Sequence, residues 1–130
     1  GGPKIMIKGS DVLLPPQCTS ILAMTLHELA TNAVKYGALS SNSGQLGISW
    51  KTARGGRLLL TWEERATLNP VPTRRGGGFG MQLIDKGVRH NLGGDTKVEF
   101  RPTGLYVELN VPLEPSKESR TKPQKAAAEV

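Results

Sequence analysis

The stretch Thr25 to Leu39, TLHELATNAVKYGAL, limits the possible folds more than any other, because it carries two opposed helical patterns and then stops at Gly37. At about 100° per residue, Glu28, Asn32 and Lys35 fall within roughly a 60° arc, with Tyr36 beside it. Ile21, Leu22, Leu26, Leu29 and Ala33 recur at helical spacing on the other side. A helix so patterned packs its apolar face on a core and borders a cavity with its polar stripe. Spacing alone reads the stripe equally well as a solvated face with i,i+4 support. The rest of the chain has to decide.

Around that helix the elements follow in order. Lys4 to Lys8 alternates isoleucines with lysines and reads as a strand ending at Gly9, with a second short extended piece at Val12 to Leu14. Pro15-Pro16 suits a helix entry, since the first turn tolerates a missing N–H. The helix is expected from Pro16 to Tyr36, with Gly37 as a left-handed cap and a polar loop from Ser40 to Gly44. Leu46 to Lys51 and Leu58 to Glu63 form a hairpin across Ala53-Arg54-Gly55-Gly56. Arg65 to Gly78 has prolines, arginines and glycines without apolar periodicity and reads as a mobile, lid-like loop. Helical spacing returns from Phe79 to Asn91, and Gly93-Gly94 closes it. Thr96 to Arg101 and Leu105 to Val111 make a final hairpin. From Glu114 the composition is that of a disordered tail or linker. Strand, helix, hairpin, loop, helix, hairpin predicts an α/β two-layer sandwich, a mixed sheet with helices packed on one face, over residues 1–113, with 114–130 as the tail.

The chain of 130 residues is one domain. Its formal charge of +6 is scattered and few aromatics accompany it, which argues against nucleic acid as a partner. The tail's own charges nearly cancel, so the excess sits in the folded part, where Arg74 and Arg75 beside a glycine run suit a polyphosphate. No apolar run approaches the ~20 residues of a membrane span, so no membrane contact is expected of this domain. The start, Gly1-Gly2-Pro3, reads as that of a piece excised from a longer protein. Cys18, the single cysteine, excludes an internal disulfide and a cysteine metal cluster, and fits a small buried hydrophobe.

Two further segments bear on chemistry. Trp62-Glu63-Glu64 puts a carboxylate at a strand end. Gly76-Gly77-Gly78-Phe79-Gly80 opens a helix, where converging N–H groups and the helix terminus favour phosphate. Taken with HELATNAVKYGAL, they resemble the ATP-binding catalytic domain of bacterial histidine kinases, specifically the HWE group and its HisKA_2 relatives, within the GHKL superfamily that shares the Bergerat fold. The resemblance runs from about Lys4 to Leu113. It implies ATP and Mg²⁺ as cofactors, with Asn32 binding the metal and Lys35 reaching the phosphates. Glu28 would support the metal or polarise the incoming nucleophile, and Tyr36 would lie against the purine. Glu64 would accept a hydrogen bond from the adenine amino group, and Gly76, Gly77, Gly78 and Gly80 would cradle phosphate. Trp62 reads as core. His27 is the "H" of the group's name, for which a partly buried helix histidine is at least as good a reading as a catalytic role.

The implied reaction donates the γ-phosphoryl group to a histidine on a separate, upstream dimerisation domain, in a cytoplasmic pathway with a response regulator as partner. One departure stands out: Arg65-Ala66-Thr67-Leu68 follows W-x-E where relatives have glycines and a proline. It favours an alternative, a degenerate scaffold or phosphotransfer partner that docks a response regulator without binding ATP well. A GHKL anti-sigma-type serine kinase fits W-x-E less well.

Overall fold

The computed structural model describes residues 2–66 and 79–113. The elements are β1 (Lys4–Gly9), α1 (Pro16–Tyr36), a 3-10 turn (Ala38–Ser40), β2 (Gln45–Ala53), β3 (Arg57–Arg65), α2 (Phe79–Lys86), a π-helical segment (Gly87–Asn91), β4 (Asp95–Arg101) and β5 (Gly104–Pro112). The strands form one sheet in the order β1-β2-β3-β5-β4. β1 runs parallel to β2, and the other three pairings are antiparallel. This is the mixed two-layer architecture that the element order predicts.

Strand alternation sets the layers. In β3, paired on both sides, Leu58, Leu60, Trp62 and Glu64 are buried while Leu59, Thr61 and Glu63 on the other face are only half-buried. Leu105, Val107, Leu109 and Val111 of β5 line the same inner face. Cys18, Leu22, Leu29 and Ala33 of α1, with Ile84, Val88 and Leu92, complete the core from the helical side. Thr25 is also fully buried in this stripe, where its hydroxyl donates to the Ile21 carbonyl at 2.8 Å, so the polar atom carries no unpaired cost. Cys18 is buried and unpaired as expected, and burial pushes its thiol pKa up. The outer face of the sheet is charged: Glu63 pairs with Arg65 and Arg101, and Arg101 stacks over Tyr106 at 4.4 Å.

The structure corrects several sequence expectations. The short piece Val12 to Leu14 joins no strand of the sheet; Val12 and Leu14 pack half-buried against the core. Gly37 ends α1 without a left-handed cap, at φ −118° and ψ −147°, and the Gly37 N–H donates to the Ala33 carbonyl at 3.0 Å. Glycine is required there for space: a Cβ would sit 2.0 Å from Oε1 of Glu64. The second helix is α-helical only to Lys86 and then widens into the π-helical segment. There Arg89 donates to Asp85 at 2.7 Å, to Asp95 at 3.3 Å and to the Thr96 carbonyl at 3.3 Å, fastening the widened turn to β4. The glycine turn after β2 holds, with φ of 82° and 70° at Gly55 and Gly56. Most of the expected lid, including Gly76, Gly77 and Gly78, and the tail expected from Glu114 lie outside the described residues.

Candidate functional site

Helix α1 delivers the polar stripe. Its buried line of Cys18, Leu22, Thr25, Leu29 and Ala33 fixes the rotation of the helix about its axis. That rotation leaves Glu28 and Asn32 half-buried at the edge of the core and Lys35 and Tyr36 exposed near the C-terminal end. Ile21, expected on the apolar side, lies instead on this flank, at about 20° from Glu28, and with Met24 it approaches Gly87, where a Cβ would lie 3.4 Å from Ile21 and 3.6 Å from Met24. The stripe thus continues a contact line with the second helical element. Among the described residues, the side chains of Glu28, Asn32 and Lys35 make no hydrogen bond or ion pair. His27 is exposed, not partly buried, and its carbonyl accepts the Thr31 hydroxyl at 2.9 Å.

Glu64 is placed differently from a simple strand-end acid. It is 3% exposed, and each of its carboxylate oxygens already accepts a hydrogen bond. The Ala38 N–H donates to Oε1 at 3.0 Å, and the Trp62 indole N–H donates to Oε2 at 2.7 Å. Trp62 is core, as its position suggests, yet its polar edge is committed to Glu64. A carboxylate oxygen has two acceptor directions, so each retains one unused lone pair. The backbone of Glu64 is crowded as well: a Cβ on Gly104, at φ +144°, would lie 1.9 Å from the Glu64 carbonyl oxygen. Just beyond, the Ala66 N–H donates to the Thr103 carbonyl at 2.9 Å, which ties the departing segment Arg65-Ala66 to the β4–β5 turn.

The two halves of the candidate site therefore meet at one joint. The amide that Glu64 holds belongs to Ala38, two residues after Tyr36, so the strand-end carboxylate and the α1 stripe are connected through the Gly37-Ala38 link. Of the glycines expected to cradle phosphate, Gly80 lies in the first turn of α2, and Gly76, Gly77 and Gly78 lie outside the described residues. Sequence reasoning missed three parts of the joint: the Ala38 amide, the spatial demand on Gly37, and the approach of Gly104. The W-x-E spacing was the available signal, since residues two apart on a strand share a face and their polar atoms can meet.

The donor set fits a hard cation better than a soft one. Asn32, half-buried, offers a carboxamide oxygen of the kind Mg²⁺ takes, and the half-buried Glu28 carboxylate lies one helical turn away. Among the described residues no group of three or more His, Cys, Asp or Glu side chains is placed to hold a metal ion. An open groove of about 730 Å³ lies elsewhere, lined by Lys8, Trp50, Lys51, Tyr106 and Glu108 among others, and shares no residue with the stripe.

No family model matches the chain. It is 36% identical over 112 residues to a blue-light-activated histidine kinase of Erythrobacter litoralis, a match that covers 85% of this chain and 31% of that protein. The chain thus spans about a third of the relative's length. The solved histidine kinase domain of the Erythrobacter litoralis EL346 protein superposes with a TM-score of 0.73 at 22% identity, over 87% of this chain and 52% of that one. Histidine kinase ThkA, solved in complex with the response regulator TrrA, superposes with a TM-score of 0.64 at 17% identity, over 87% of this chain and 35% of that one. By sequence kinship the chain belongs with the histidine kinases, and it has the fold of their catalytic domains.

Proposed function

We propose that this domain binds Mg²⁺-ATP and donates the γ-phosphoryl group to a histidine on a separate dimerisation domain, as part of a two-component pathway of the HWE type with a response regulator downstream. The observation that carries the reading is the joint at Ala38. It sets a buried carboxylate beside the end of a helix whose carboxylate, carboxamide and ammonium lie on one flank. In this reading Asn32 holds the metal, Lys35 neutralises phosphate charge, Tyr36 lies against the purine and Glu64 accepts from the adenine amino group. The bound ion supplies charge neutralisation on the phosphate oxygens, which is most of what phosphoryl transfer asks of a protein. Glu28, on the same flank, polarises the attacking imidazole and takes its proton as the P–N bond forms and ADP leaves. Gly76, Gly77, Gly78 and Gly80 cover the phosphates with backbone N–H groups. The complex of ThkA with TrrA supports a response regulator as partner.

A second reading, a scaffold that docks a regulator without binding ATP, draws on the fact that both oxygens of Glu64 are already engaged. One titration separates the two. With Mg²⁺ present, ATP binds better than GTP, whose carbonyl would face the carboxylate acceptor against acceptor. Glu64→Ala weakens ATP by about 1.5 to 3 kcal/mol, the range for a hydrogen bond to a charged group. Equal affinities for both nucleotides in both proteins would remove Glu64 as the adenine reader, and absence of any binding would favour the scaffold.

A further inference from the structure

Two N–H donors converge on one side chain at Glu64, and nothing but a carboxylate satisfies both. A glutamine could present its oxygen to only one of them, so its NH₂ would face either the Trp62 indole N–H or the Ala38 N–H, donor against donor. Trp62 and Glu64 project from the same face of β3 and are 2% and 3% exposed, so neither hydrogen bond can be exchanged freely for one with water. Gly37 is bare where Oε1 passes, and Gly104 is bare where the Glu64 carbonyl passes. The carboxylate is therefore boxed in sterically and steered electrostatically.

We propose that Trp62 is a positioning residue. Its indole N–H fixes Oε2, the fixed carboxylate holds the Ala38 amide through Oε1, and the C-terminal end of α1, with Lys35 and Tyr36, is thereby set against the sheet. The core bulk of Trp62 is one role and the direction of its N–H is another. The effect on nucleotide selectivity rests on the reading of Glu64 as adenine acceptor. The effect on stability does not.

The test is a double-mutant cycle on the 130-residue chain, using Trp62→Phe and Glu64→Gln singly and together, read by urea unfolding without nucleotide. Trp62→Phe removes both volume and the N–H, and the volume cost is the same in either background. If the N–H positions the carboxylate, Trp62→Phe raises the unfolding constant about tenfold less in the Glu64→Gln background, because the amide then keeps its oxygen for Ala38 and no longer opposes an indole donor. Equal effects in both backgrounds would overturn the proposal and leave Trp62 as packing alone. Should Glu64→Gln not fold, replacement of Trp62 by benzothienylalanine keeps the shape and removes the donor. A loss of stability then supports the proposal, and wild-type stability refutes it. In parallel, Trp62→Phe lowers the ratio of ATP to GTP affinity about tenfold, whereas packing loss alone weakens both nucleotides alike. If wild type has no preference for ATP, the nucleotide reading of Glu64 fails, and the stability cycle still decides the role of Trp62.

Discussion

Gly37→Ala tests the joint between helix and sheet most directly. Its φ of −118° is negative, so a change there meets no left-handed strain and acts chiefly through space. The new Cβ would lie 2.0 Å from Oε1 of Glu64 and 3.2 Å from its Cδ. The end of an exposed glutamate would swing aside at little cost. This one is buried and held at 3.0 and 2.7 Å by two N–H donors, so moving it breaks one or both bonds. Hydrogen bonds to a charged group are worth about 1.5 to 3 kcal/mol each, while alanine recovers at most ~1 kcal/mol by restricting the unfolded chain. The expected net loss is about 0.5 to 2 kcal/mol if one bond breaks and about 2 to 5 kcal/mol if both do, the latter roughly 10 to 25 °C in Tm for a domain of this size. Urea and thermal unfolding of the two proteins measure it. With Glu64→Ala already present, most of that loss disappears, because the obstructing oxygen is gone and only the 3.2 Å approach to the Ala33 Cα remains. A Gly37→Ala protein as stable as wild type, or a loss of equal size in both backgrounds, would refute the account.

Other outcomes follow from the same geometry. Asn32→Ala abolishes Mg²⁺-dependent ATP binding and leaves unfolding without nucleotide within ~0.5 kcal/mol of wild type, as calorimetric titration and urea melts check, since the residue lies outside the buried line of α1. Leu29→Ala, at a fully buried position, costs about 2 to 5 kcal/mol of stability in the same melts. The Asp85 carboxyl is held below the ordinary carboxylate range by hydrogen bonds from the Thr96 hydroxyl and the Arg89 guanidinium. Its contribution is complete above the unfolded-state pKa near ~4 and is lost as pH falls through the depressed value. An Asp85→Asn protein should therefore lose less stability between pH 5 and 3, to be followed by circular dichroism at those ~pH values.

Much of this fold could be read from residue pattern because its signals are local. The 3.6-residue period of α1, the proline entry and the alternation of Arg57–Arg65 each record one element's contact with a single core. What escaped was non-local. Gly37 looks like a helix cap in sequence, and only the approach of a side chain 27 residues later, at Glu64, explains it. Thr25 passes for a polar residue until its hydroxyl is seen to return to Ile21, after which it packs as an apolar one. The π-helical segment has no period of its own. From it Arg89 reaches β4, a contact that exists only in the folded chain. The W-x-E spacing announced a shared strand face but not the Ala38 amide waiting opposite.

β1 contributes no buried side chain: all six of its residues are exposed, and it pairs with β2 alone. Apart from that ladder it is fastened by the Lys4 N–H, which donates to the Gly44 carbonyl at 3.0 Å, and by the Trp50 indole, whose ring fills the space above Gly9 and whose N–H reaches the Ser10 carbonyl at 2.7 Å. β1 can therefore peel away and re-zip without admitting water to the core, so the least costly opening of this domain is a subglobal one at its first strand. Amide deuteration should sweep through β1 long before it enters β3, whose two flanking strands make its release equivalent to unfolding the whole sheet.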